Sequence, residues 1–263
     1  MVVNVEYSIE GEIAVIKLSP APGEKVPLVT KAGMEELYEA LLRADRDESV
    51  QGMIITSEGD FSGGADLREL TSLSSIDSAI RWLETYWRVL NLIRTTGKPV
   101  LAAVKGACVA GGHEIVMMCD FVLAAKSARF GQPEVRVGST AMYAVLMLPI
   151  VIGERRAREL LLTGRLISAE EAHKLGLVNE VVEDHLLMER AKQYLREVLE
   201  NVSPQAFKVI KAGLRFWTDL AMLSMQLGRD LTAMVWLSEE FRERSLAFLE
   251  KRKAARRKFI GVR

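Results

Sequence analysis

The sequence predicts an α/β protein built from layered βα units, and three observations carry that prediction. Short apolar runs of strand length alternate with helical stretches through the first half of the chain. Two of these runs, Val100–Val104 and Phe121–Ala125, are continuously apolar, as parallel strands covered on both faces are. From about Gly153 the pattern becomes mostly helical. A covered parallel sheet followed by a helical C-terminal part is therefore expected.

The first half of the chain shows strands and helices in alternation. Val3–Ile9 and Ile13–Leu18 flank a turn near Gly11, which predicts an opening hairpin. Apolar residues at helical spacing predict a helix over Lys31–Arg46. The further predicted elements are a strand at Gly52–Thr56, a helix at Ala79–Arg94, and the two apolar strands at Val100–Val104 and Phe121–Ala125.

The second half is organised around helices. Ser168 and Glu171 form a capping-box pattern that opens a short helix, and Gly176 stands where a left-handed cap would end it. Leu177–Val182 has strand character. Nearly everything from Asp184 to Arg257 is helical in pattern, interrupted at Ser203-Pro204, where proline suits a first helical turn. We therefore divide the chain into a core at 1–200 and a helical segment at 201–263.

Composition excludes several classes of protein. The 263 residues carry 35 basic and 35 acidic side chains, so no overall charge attracts nucleic acid or a membrane surface. Two cysteines, Cys108 and Cys119, and three scattered histidines predict reduced thiols and no metal site. The chain has no apolar run of membrane-spanning length and no signal-peptide pattern at its start, so a soluble, cytoplasmic protein is expected.

Three glycine-containing turns stand out from ordinary core sequence. Residues 60–67 (DFSGGADL) leave a strand and enter a helix. Residues 98–114 contain a strand, the stretch AGG, and a helix that we expect to begin near His113-Glu114. Residues 130–134 (FGQPE) place a carboxylate just beyond a third strand. Each turn alone is more often plain turn chemistry, although free amides at a helix start do favour negative charge.

Together and in this order, the three turns resemble the crotonase superfamily, also called the enoyl-CoA hydratase/isomerase family. The resemblance covers almost the whole chain. It is carried by the segments Ser62–Leu67, Gly111–Glu114, Met117–Asp120, Phe130–Glu134, Leu160–Gly164, Ala169–Ala172, Gly176–Val178 and Ala247–Lys253.

The resemblance implies both a fold and a set of roles. The fold would be a spiral of ββα units followed by a helical segment used in trimerisation, often with two trimers forming a hexamer. The backbone amides of Ala65 and Gly111 would form an oxyanion hole for a thioester carbonyl, and Glu114 and Glu134 would hold one water between them. Other residues placed by the resemblance at the substrate are Gly64, Asp66, Leu67, Gly112, Met142 and Tyr143.

The implied reaction explains these parts. Adding water across an α,β-unsaturated acyl-CoA thioester builds enolate charge on the carbonyl oxygen, and preorganised amides stabilise that charge. A base must deprotonate the water and an acid must protonate the α-carbon. By resemblance Glu114 is the base and Glu134 the acid. The reaction needs no cofactor, since coenzyme A is part of the substrate.

Other residues at the ends of the chain would meet the coenzyme. Lys251 and Phe248 match positions that, in the family, contact coenzyme A bound by the neighbouring subunit. The stretch from Lys251 to Arg263 has seven basic residues and no acidic one, which suits phosphate binding. Lys25, in the loop after the hairpin, is a weaker candidate for a phosphate contact.

The sequence departs from the family at two places. Val26–Val29 replaces the usual Asn-Ala-Leu stretch, and Ala141–Val145 replaces an open, glycine-rich turn with bulky side chains. An altered acyl pocket is therefore expected. The helix after the Ala65 turn offers Trp82, Tyr86 and Trp87 either as further aromatic walls or as ordinary core packing.

Several interpretations of function stay open at this point. The same fold also carries isomerases, hydrolases and lyases that act on cyclic acyl-CoA substrates, but typical isomerases lack a glutamate at the position of Glu114. From other classes, an RNA-binding member has only the basic tail in its favour, and a catalytically inactive member is a further alternative. His113 is expected to be structural, because adjacent helix residues such as His113 and Glu114 do not share a face.

Overall fold

The computed structural model describes residues 4–255 and 257–258. The strands within this part of the chain are β1 (Asn4–Glu10), β2 (Ile13–Ser19), β3 (Gly52–Ser57), β4 (Val100–Val104), β5 (Ala107–Val109), β6 (Phe121–Ala125), β7 (Arg129–Gly131), β8 (Leu166–Ser168) and β9 (Glu180–Val182).

The helices surround two sheets and dominate the C-terminal part. They are α1 (Lys31–Arg46), α2 (Leu67–Ser72), α3 (Ile76–Thr95), α4 (Gly111–Met117), α5 (Ala144–Ile152), α6 (Glu154–Thr163), α7 (Ala169–Lys174), α8 (Leu187–Asn201), α9 (Pro204–Met222), α10 (Met225–Trp236) and α11 (Glu239–Leu249), with short 3₁₀ helices at Pro133–Val137 and Asp184–Leu186.

The larger sheet has the strand order β1-β2-β3-β4-β6-β9. The hairpin β1-β2 is antiparallel and turns at Gly11, whose φ of 65° suits glycine. Every later strand of this sheet runs parallel to its neighbour. The predicted mixed α/β architecture is therefore confirmed, with the hairpin at one edge.

Both faces of this sheet are covered, which explains the unbroken apolar runs of β4 and β6. Successive strand residues point to opposite faces. In β3, Ile54 packs on the side covered by Leu195 of α8, whereas Met53 and Ile55 face the main core under α1 and α3. Helix α8 lies so close to the sheet that a Cβ on Gly52 would approach Leu195 Cδ2 to 2.9 Å. Strands buried on both faces are apolar at every position, so their sequences lack the alternation of polar and apolar residues.

A second, smaller sheet of β5, β7 and β8 makes the fold a spiral. Strand β4 passes through a turn at Gly106 into β5 and then α4, and β6 passes into β7 and then the 3₁₀ helix at Pro133–Val137. Strand β3 follows the same course, because Ser62 bridges to Cys108 of β5 before α2 begins. In each of these ββα units, the chain passes from a strand of the large sheet to the small sheet and then enters a helix.

The C-terminal helices share the main core with this spiral. Trp236 of α10 and Phe241 of α11 are 6% and 0% exposed within the same apolar cluster as the sheet. Within the described residues, no helix is both long enough and apolar enough to cross a membrane.

The prediction that helix continues to Arg257 is wrong. Helix α11 ends at Leu249, and the chain turns at Lys251, which adopts φ of 52°. The amides of Lys251 and Arg252 then donate to the carbonyls of Phe248 (3.1 Å) and Ala247 (2.9 Å). These two bonds form a Schellman cap, in which a lysine takes the position that glycine usually occupies. The helix therefore ends before the basic stretch that begins at Lys251.

Smaller differences concern the ends of other elements. Helix α4 begins at Gly111 rather than near His113-Glu114, and only Glu180–Val182 of the predicted strand 177–182 pairs in the sheet. At α7, the Ser168 side chain does accept from the Glu171 amide at 3.2 Å. The Glu171 carboxylate, however, turns to Arg165 at 2.7 Å, so the capping box is only half formed.

Helix α9 is held on the core by a buried ion pair. Lys211 is 8% exposed, and its Nζ donates to Asp120 Oδ2 at 2.6 Å and to the carbonyls of Ile93 and Lys98, each at 3.2 Å. Asp120 also accepts from the Val100 amide at 2.8 Å. One lysine thus donates hydrogen bonds to acceptors at the end of α3, before β4 and in the loop before β6.

Replacing Lys211 by Met should lower the free energy of unfolding by about 3–5 kcal/mol, because Asp120 would keep its burial but lose its cation. Urea unfolding at fixed protein concentration measures this change. The matched control is Arg81→Ala, which breaks the exposed pair with Asp77 (2.6 Å) and should change stability by less than about 1 kcal/mol. Equal effects of the two substitutions would show that the buried pair does not hold α9.

Candidate active site

A cavity of about 800 Å³ opens where the turns after β3, β5 and β7 meet. Most of the predicted site residues lie in its wall. The lining residues that sequence reasoning named are Ala65, Asp66, Leu67, Gly111, Glu114, Glu134, Met142, Tyr143 and Phe248.

The small sheet brings the Ala65 and Gly111 segments together. The amide of Ser62 donates to the carbonyl of Ala107 at 2.9 Å, and the Val109 amide donates back to Ser62 at 3.1 Å. The Ala110 amide then donates to the Gly131 carbonyl at 2.9 Å. These backbone bonds place the turns after β3, β5 and β7 side by side, independently of their side chains.

Glycine is required where these turns touch. Gly64 has φ of 87°, and a Cβ there would meet the Cβ of Ala110 at 2.6 Å. A Cβ on Gly112 would meet the Cβ of Ser62 at 2.3 Å. Both distances are shorter than real Cβ contacts allow. Gly64 and Gly112 therefore act behind the cavity wall, by permitting close approach, and do not line the cavity.

The backbone amides of Ala65 and Gly111 are directed by this packing. Val29 pairs with the Gly64 carbonyl (2.8 Å) and the Asp66 amide (3.0 Å), so the amide of Ala65 points away from Val29. Gly111 is the first residue of α4, and its amide has no acceptor within that helix. Both residues line the cavity, and among the described residues neither amide donates to a backbone acceptor outside its own helix or strand.

Ala110, just before Gly111, holds a strained backbone conformation. Its φ of 52° and ψ of −130° are rarely adopted by a residue with a side chain. Such conformations cost on the order of 1–3 kcal/mol and persist where the surroundings enforce them. Because ψ of Ala110 orients the next peptide plane, this strain sets the direction of the Gly111 amide.

Glu114 is a buried carboxylate held by donors from other helices. Its Oε1 accepts from the amides of Tyr143 (2.9 Å) and Ala144 (2.8 Å) at the start of α5. Its Oε2 contacts the Tyr86 hydroxyl at 3.1 Å. The residue is 4% exposed. Glu114 therefore caps α5 in addition to lying in the first turn of its own helix.

Glu134 follows β7 and lies in the same cavity. With the Gln132 amide oriented to satisfy both neighbours, its nitrogen donates to Glu134 Oε1 at 2.8 Å and its oxygen accepts from His113 Nδ1 at 3.3 Å. His113 is 1% exposed and packs on Phe130. His113 thus supports Glu134 through Gln132, a link that sequence reasoning missed because nothing in the spacing of these residues indicates it.

The two glutamates have unlike environments. Burial raises the pKa of Glu114 to about 7, while the bonds from Ala144, Tyr143 and Tyr86 act to lower that pKa. The pKa of Glu134 is raised well above the ordinary value, first by burial and then by the charge of Glu114. Burial likewise lowers the pKa of His113 to about 4, so its imidazole is neutral near pH 7. The pair is therefore built to share one proton, which favours Glu134.

The loop after Glu134 contributes to the wall and to the support of Glu114. The amides that meet the Glu114 carboxylate are those of Tyr143 and Ala144, and Met142 lines the cavity beside them. The Tyr143 ring is 1% exposed and stacks on Trp87, with centroids 5.3 Å apart. Trp82 and Tyr86 line the cavity, whereas Trp87 packs behind Tyr143.

Asp66 has a structural role as well as a place in the wall. Its side chain caps α2 by accepting from the Arg68 amide at 2.9 Å, and it pairs with the Arg68 guanidinium.

Lys25 and Lys251 are exposed and do not line the cavity, whereas Phe248 does. Arginines that line the cavity and were not named from sequence are Arg68, Arg136, Arg244 and Arg252.

Among residues 4–255 and 257–258, His, Cys, Asp and Glu side chains form no group of three or more able to hold a metal ion. Cys108 is buried and Cys119 is half-buried, and both are free thiols.

This spiral, with two glutamates and the Ala65 and Gly111 turns lining one cavity, defines a crotonase-type protein. The sequence profile of the enoyl-CoA hydratase/isomerase family matches residues 8–257, and the chain belongs to that family.

Relatives and solved structures of similar length support this assignment. A crotonyl-CoA hydratase from Syntrophomonas wolfei subsp. wolfei is 33% identical over 256 residues, covering 95% of this chain and 96% of the relative. A mevalonyl-coenzyme A hydratase from Aspergillus fumigatus is 36% identical over 234 residues, covering 87% and 84%. The crystal structure of an enoyl-CoA hydratase from Bacillus halodurans has a TM-score of 0.84 at 26% identity, covering 92% and 99%.

Titration should reveal the coupling of the two glutamates. In Glu114→Gln, the carboxyl of Glu134 should ionise at lower pH than in the native protein, because the neighbouring charge is gone, yet still above the ordinary carboxyl range because burial remains. Carbon-13 NMR of labelled glutamate side chains measures this. The exposed substitution Glu159→Gln should leave the Glu134 titration unchanged. An unshifted Glu134 in Glu114→Gln would refute the coupling.

Proposed function

We propose that this protein is an enoyl-CoA hydratase, a lyase that adds water across the α,β double bond of an acyl-CoA thioester. The observation that carries this proposal is the pair of Glu114, which is buried, and Glu134, which is half-buried, in one cavity with unequal surroundings. Two carboxyls whose environments push their pKa values apart can serve as base and acid in one reaction. Family membership and the hydratase relatives support the same conclusion.

Glu114 is suited to be the base. Three donors face its carboxylate, and each favours the ionised form. In the proposed reaction Glu114 takes a proton from water while the water oxygen bonds to the β-carbon. The electron pair of the double bond moves toward the thioester carbonyl, forming an enolate.

The amides of Ala65 and Gly111 are suited to hold the enolate oxygen. Each such preorganised donor contributes roughly 3–4 kcal/mol in acyl-transfer enzymes. Glu134, protonated because of its burial and the nearby charge, then gives its proton to the α-carbon. The product is a 3-hydroxyacyl thioester, and the atoms of one water molecule have been added.

Other reactions of the same fold fit the site less well. A double-bond isomerase needs one proton shuttle, and the three hydrogen bonds that support Glu114 would then be idle. An RNA-binding role rests only on the basic tail from Lys251, part of which lies outside the described residues. The intact pair of carboxyls also disfavours a catalytically inactive member.

The acyl group would lie against an aromatic wall. Trp82, Tyr86 and Tyr143 line the cavity on one side, and Trp236 of α10 packs edge-on to Trp82 at 5.3 Å. The hydroxyls of Thr140 and Thr232 bond each other at 2.6 Å in the same wall. Two of the relatives named above are a crotonyl-CoA hydratase and a mevalonyl-coenzyme A hydratase. We propose that this chain prefers an acyl group bulkier than crotonyl, because aromatic side chains line its cavity.

The phosphates of coenzyme A would meet cations at the cavity mouth. Of the four lining arginines, Arg68, Arg244 and Arg252 pair with carboxylates, whereas Arg136 has no carboxylate within 4.0 Å among the described residues. Arg136 is therefore a candidate contact beside Lys25 and Lys251. Phe248 lines this chain's own cavity and would pack beside the coenzyme there, while its contact with a neighbouring subunit's coenzyme stays a prediction.

We further propose that residues 201–263 mediate assembly into a trimer, or a hexamer of two trimers. Helices α9 and α10 expose a broad apolar face, and such faces mark interaction sites. A second copy of the chain is the occupant that the family resemblance implies. The most exposed members of this face are Val209, Ile210, Leu214, Phe216, Trp217, Leu223, Leu227 and Met234.

Glu114→Gln and Glu134→Gln should each lower kcat by at least about 10²-fold with little change in KM, because each removes a proton-transfer group but keeps the shape of the side chain. The glutamine that replaces Glu114 also keeps a carbonyl oxygen for the two amides of α5. Mass-spectrometric detection of water gain on a panel of enoyl-CoA thioesters, followed by kinetics, measures this. In the native protein kcat should fall as pH drops through about 7, since Glu114 must be ionised.

The exposed substitution Glu159→Gln serves as the control and should keep full activity. Hydration at near-native rates by either catalytic variant would overturn the assignment of the pair. Absence of water gain on every thioester in the native protein would overturn the proposed function.

Charging the apolar face should dissociate the assembly. Trp217 is 62% and Leu223 79% exposed in the single chain, so Trp217→Asp with Leu223→Asp should reduce the solution mass to that of one chain. Light scattering coupled to gel filtration measures the mass. Ile9→Asp, on edge strand β1 and 40% exposed, is the control and should keep the native mass. An unchanged mass in the double variant would contradict assembly through α9.

A further inference from the structure

The hydroxyl of Tyr86 joins the two halves of the proposed site. Tyr86 lies in α3 and is 3% exposed. Its hydroxyl oxygen is 2.5 Å from the Gly111 carbonyl and 3.1 Å from Glu114 Oε2. One phenol thus touches both the residue whose amide would hold the enolate and the residue that would act as base.

Counting protons shows which oxygen of Glu114 can react. Oε1 already accepts two backbone amide protons, from Tyr143 and Ala144. A proton placed on Oε1 would face both donors, so a protonated Glu114 must carry its proton on Oε2. That oxygen is the one beside the Tyr86 hydroxyl. The donors of α5 therefore direct any proton that Glu114 gains to Oε2.

The phenol has one proton and two acceptors in reach. With Glu114 ionised, the phenol can donate to Oε2. With Glu114 protonated, Oε2 becomes the donor to the phenol oxygen, and the phenol proton turns to the Gly111 carbonyl. Burial and the charge of Glu114 raise the pKa of Tyr86 well above its ordinary value, so the phenol stays protonated in both states.

We propose that Tyr86 is a positioning residue that holds Oε2 of Glu114 through both protonation states and ties that oxygen to the Gly111 turn. This inference rests on the proposed hydratase function. The hydroxyl supplies a partner to the carboxylate before water is deprotonated and to the carboxylic acid afterwards. Glu114 then need not move to find a new partner when it gains the proton.

The Tyr86 ring is held independently of its hydroxyl. It packs against Trp82 and Tyr143, with centroid distances of 5.7 Å and 5.6 Å. A phenylalanine can keep these contacts. Tyr86→Phe therefore removes the hydroxyl alone.

The test compares Tyr86→Phe with the native enzyme across pH. We expect kcat to fall roughly 10-fold or more with KM changed less than about 2-fold. The reason is that the variant loses the hydrogen bond from the Tyr86 hydroxyl to the Glu114 carboxylate, which takes part in proton transfer. The acid limb of the kcat profile should move to higher pH by about one unit, because the ionised form of Glu114 loses a donor. A lower kcat with an unmoved acid limb, or an unchanged kcat, would overturn the proposal.

Tyr194→Phe is the matched control. Tyr194 lies in α8 against Phe121, away from the cavity lining, and its loss of a hydroxyl should leave both kcat and the acid limb unchanged. Should Tyr86→Phe fail to fold, 3-fluorotyrosine at position 86 keeps the ring and offers a more acidic phenol. Because a more acidic phenol favours the ionised form of Glu114, the acid limb of the kcat profile should then move to lower pH. An unmoved acid limb would contradict the proposal.

A readout that needs no turnover separates this inference from the proposed function. Carbon-13 NMR should show the Glu114 carboxyl of Tyr86→Phe titrating at higher pH than in the native protein. If the native protein hydrates no thioester but Glu114 still shifts, the hydratase function fails and the link between Tyr86 and Glu114 stands. If hydration occurs but Glu114 does not shift, the link fails alone.

Discussion

The site depends on one buried carboxylate and the three helices that meet at it. Glu114 projects from α4, its Oε1 is bound by the amides that open α5, and its Oε2 touches Tyr86 of α3. A buried carboxylate without donors would lose its charge or destabilise the fold. Here the donors come from elements far apart in the chain, so the position of the Glu114 carboxylate depends on how these helices pack together.

A second constraint is the close approach of backbone at the turns after β3 and β5. Backbone bonds between Ser62 and the β5 strand bring the turns together, and Gly64 and Gly112 leave room where side chains would collide. The strained conformation of Ala110 then directs the following amide. The amides that would hold an enolate are therefore set by main-chain geometry, which tolerates variation in the surrounding side chains.

The two constraints act on different parts of the reaction. In the proposed reaction the turns would provide fixed dipoles for negative charge on the substrate, and such preorganised dipoles need no rearrangement as the charge forms. In the same proposal the glutamates would transfer protons, and their unequal surroundings would decide which one holds the proton at rest. The Tyr86 hydroxyl contacts both the Gly111 carbonyl and Glu114, so under the proposed function this residue of α3 would have a chemical role in addition to packing.

Much of this architecture was predictable from local sequence. Lys31–Arg46 and the apolar runs of β4 and β6 have the bounds that their spacing predicted, because periodicity reports burial within one element. The glycine turns and the two glutamates were named because their order along the chain resembles that of a known family. The end of α11 was mispredicted, since Lys251 occupies the left-handed position that glycine usually marks.

Only the tertiary structure decided how the site is supported. Tyr86 and Glu114 are 28 positions apart, Glu114 and Tyr143 29, and Lys211 and Asp120 91. No local sequence pattern predicts such contacts. The helical spacing of a tyrosine is the same whether its hydroxyl contacts solvent, a carbonyl or a buried carboxylate. The sequence by itself determined the elements and the chemical groups available, since both are local properties. The folded chain determined which groups meet, since that depends on packing between distant elements.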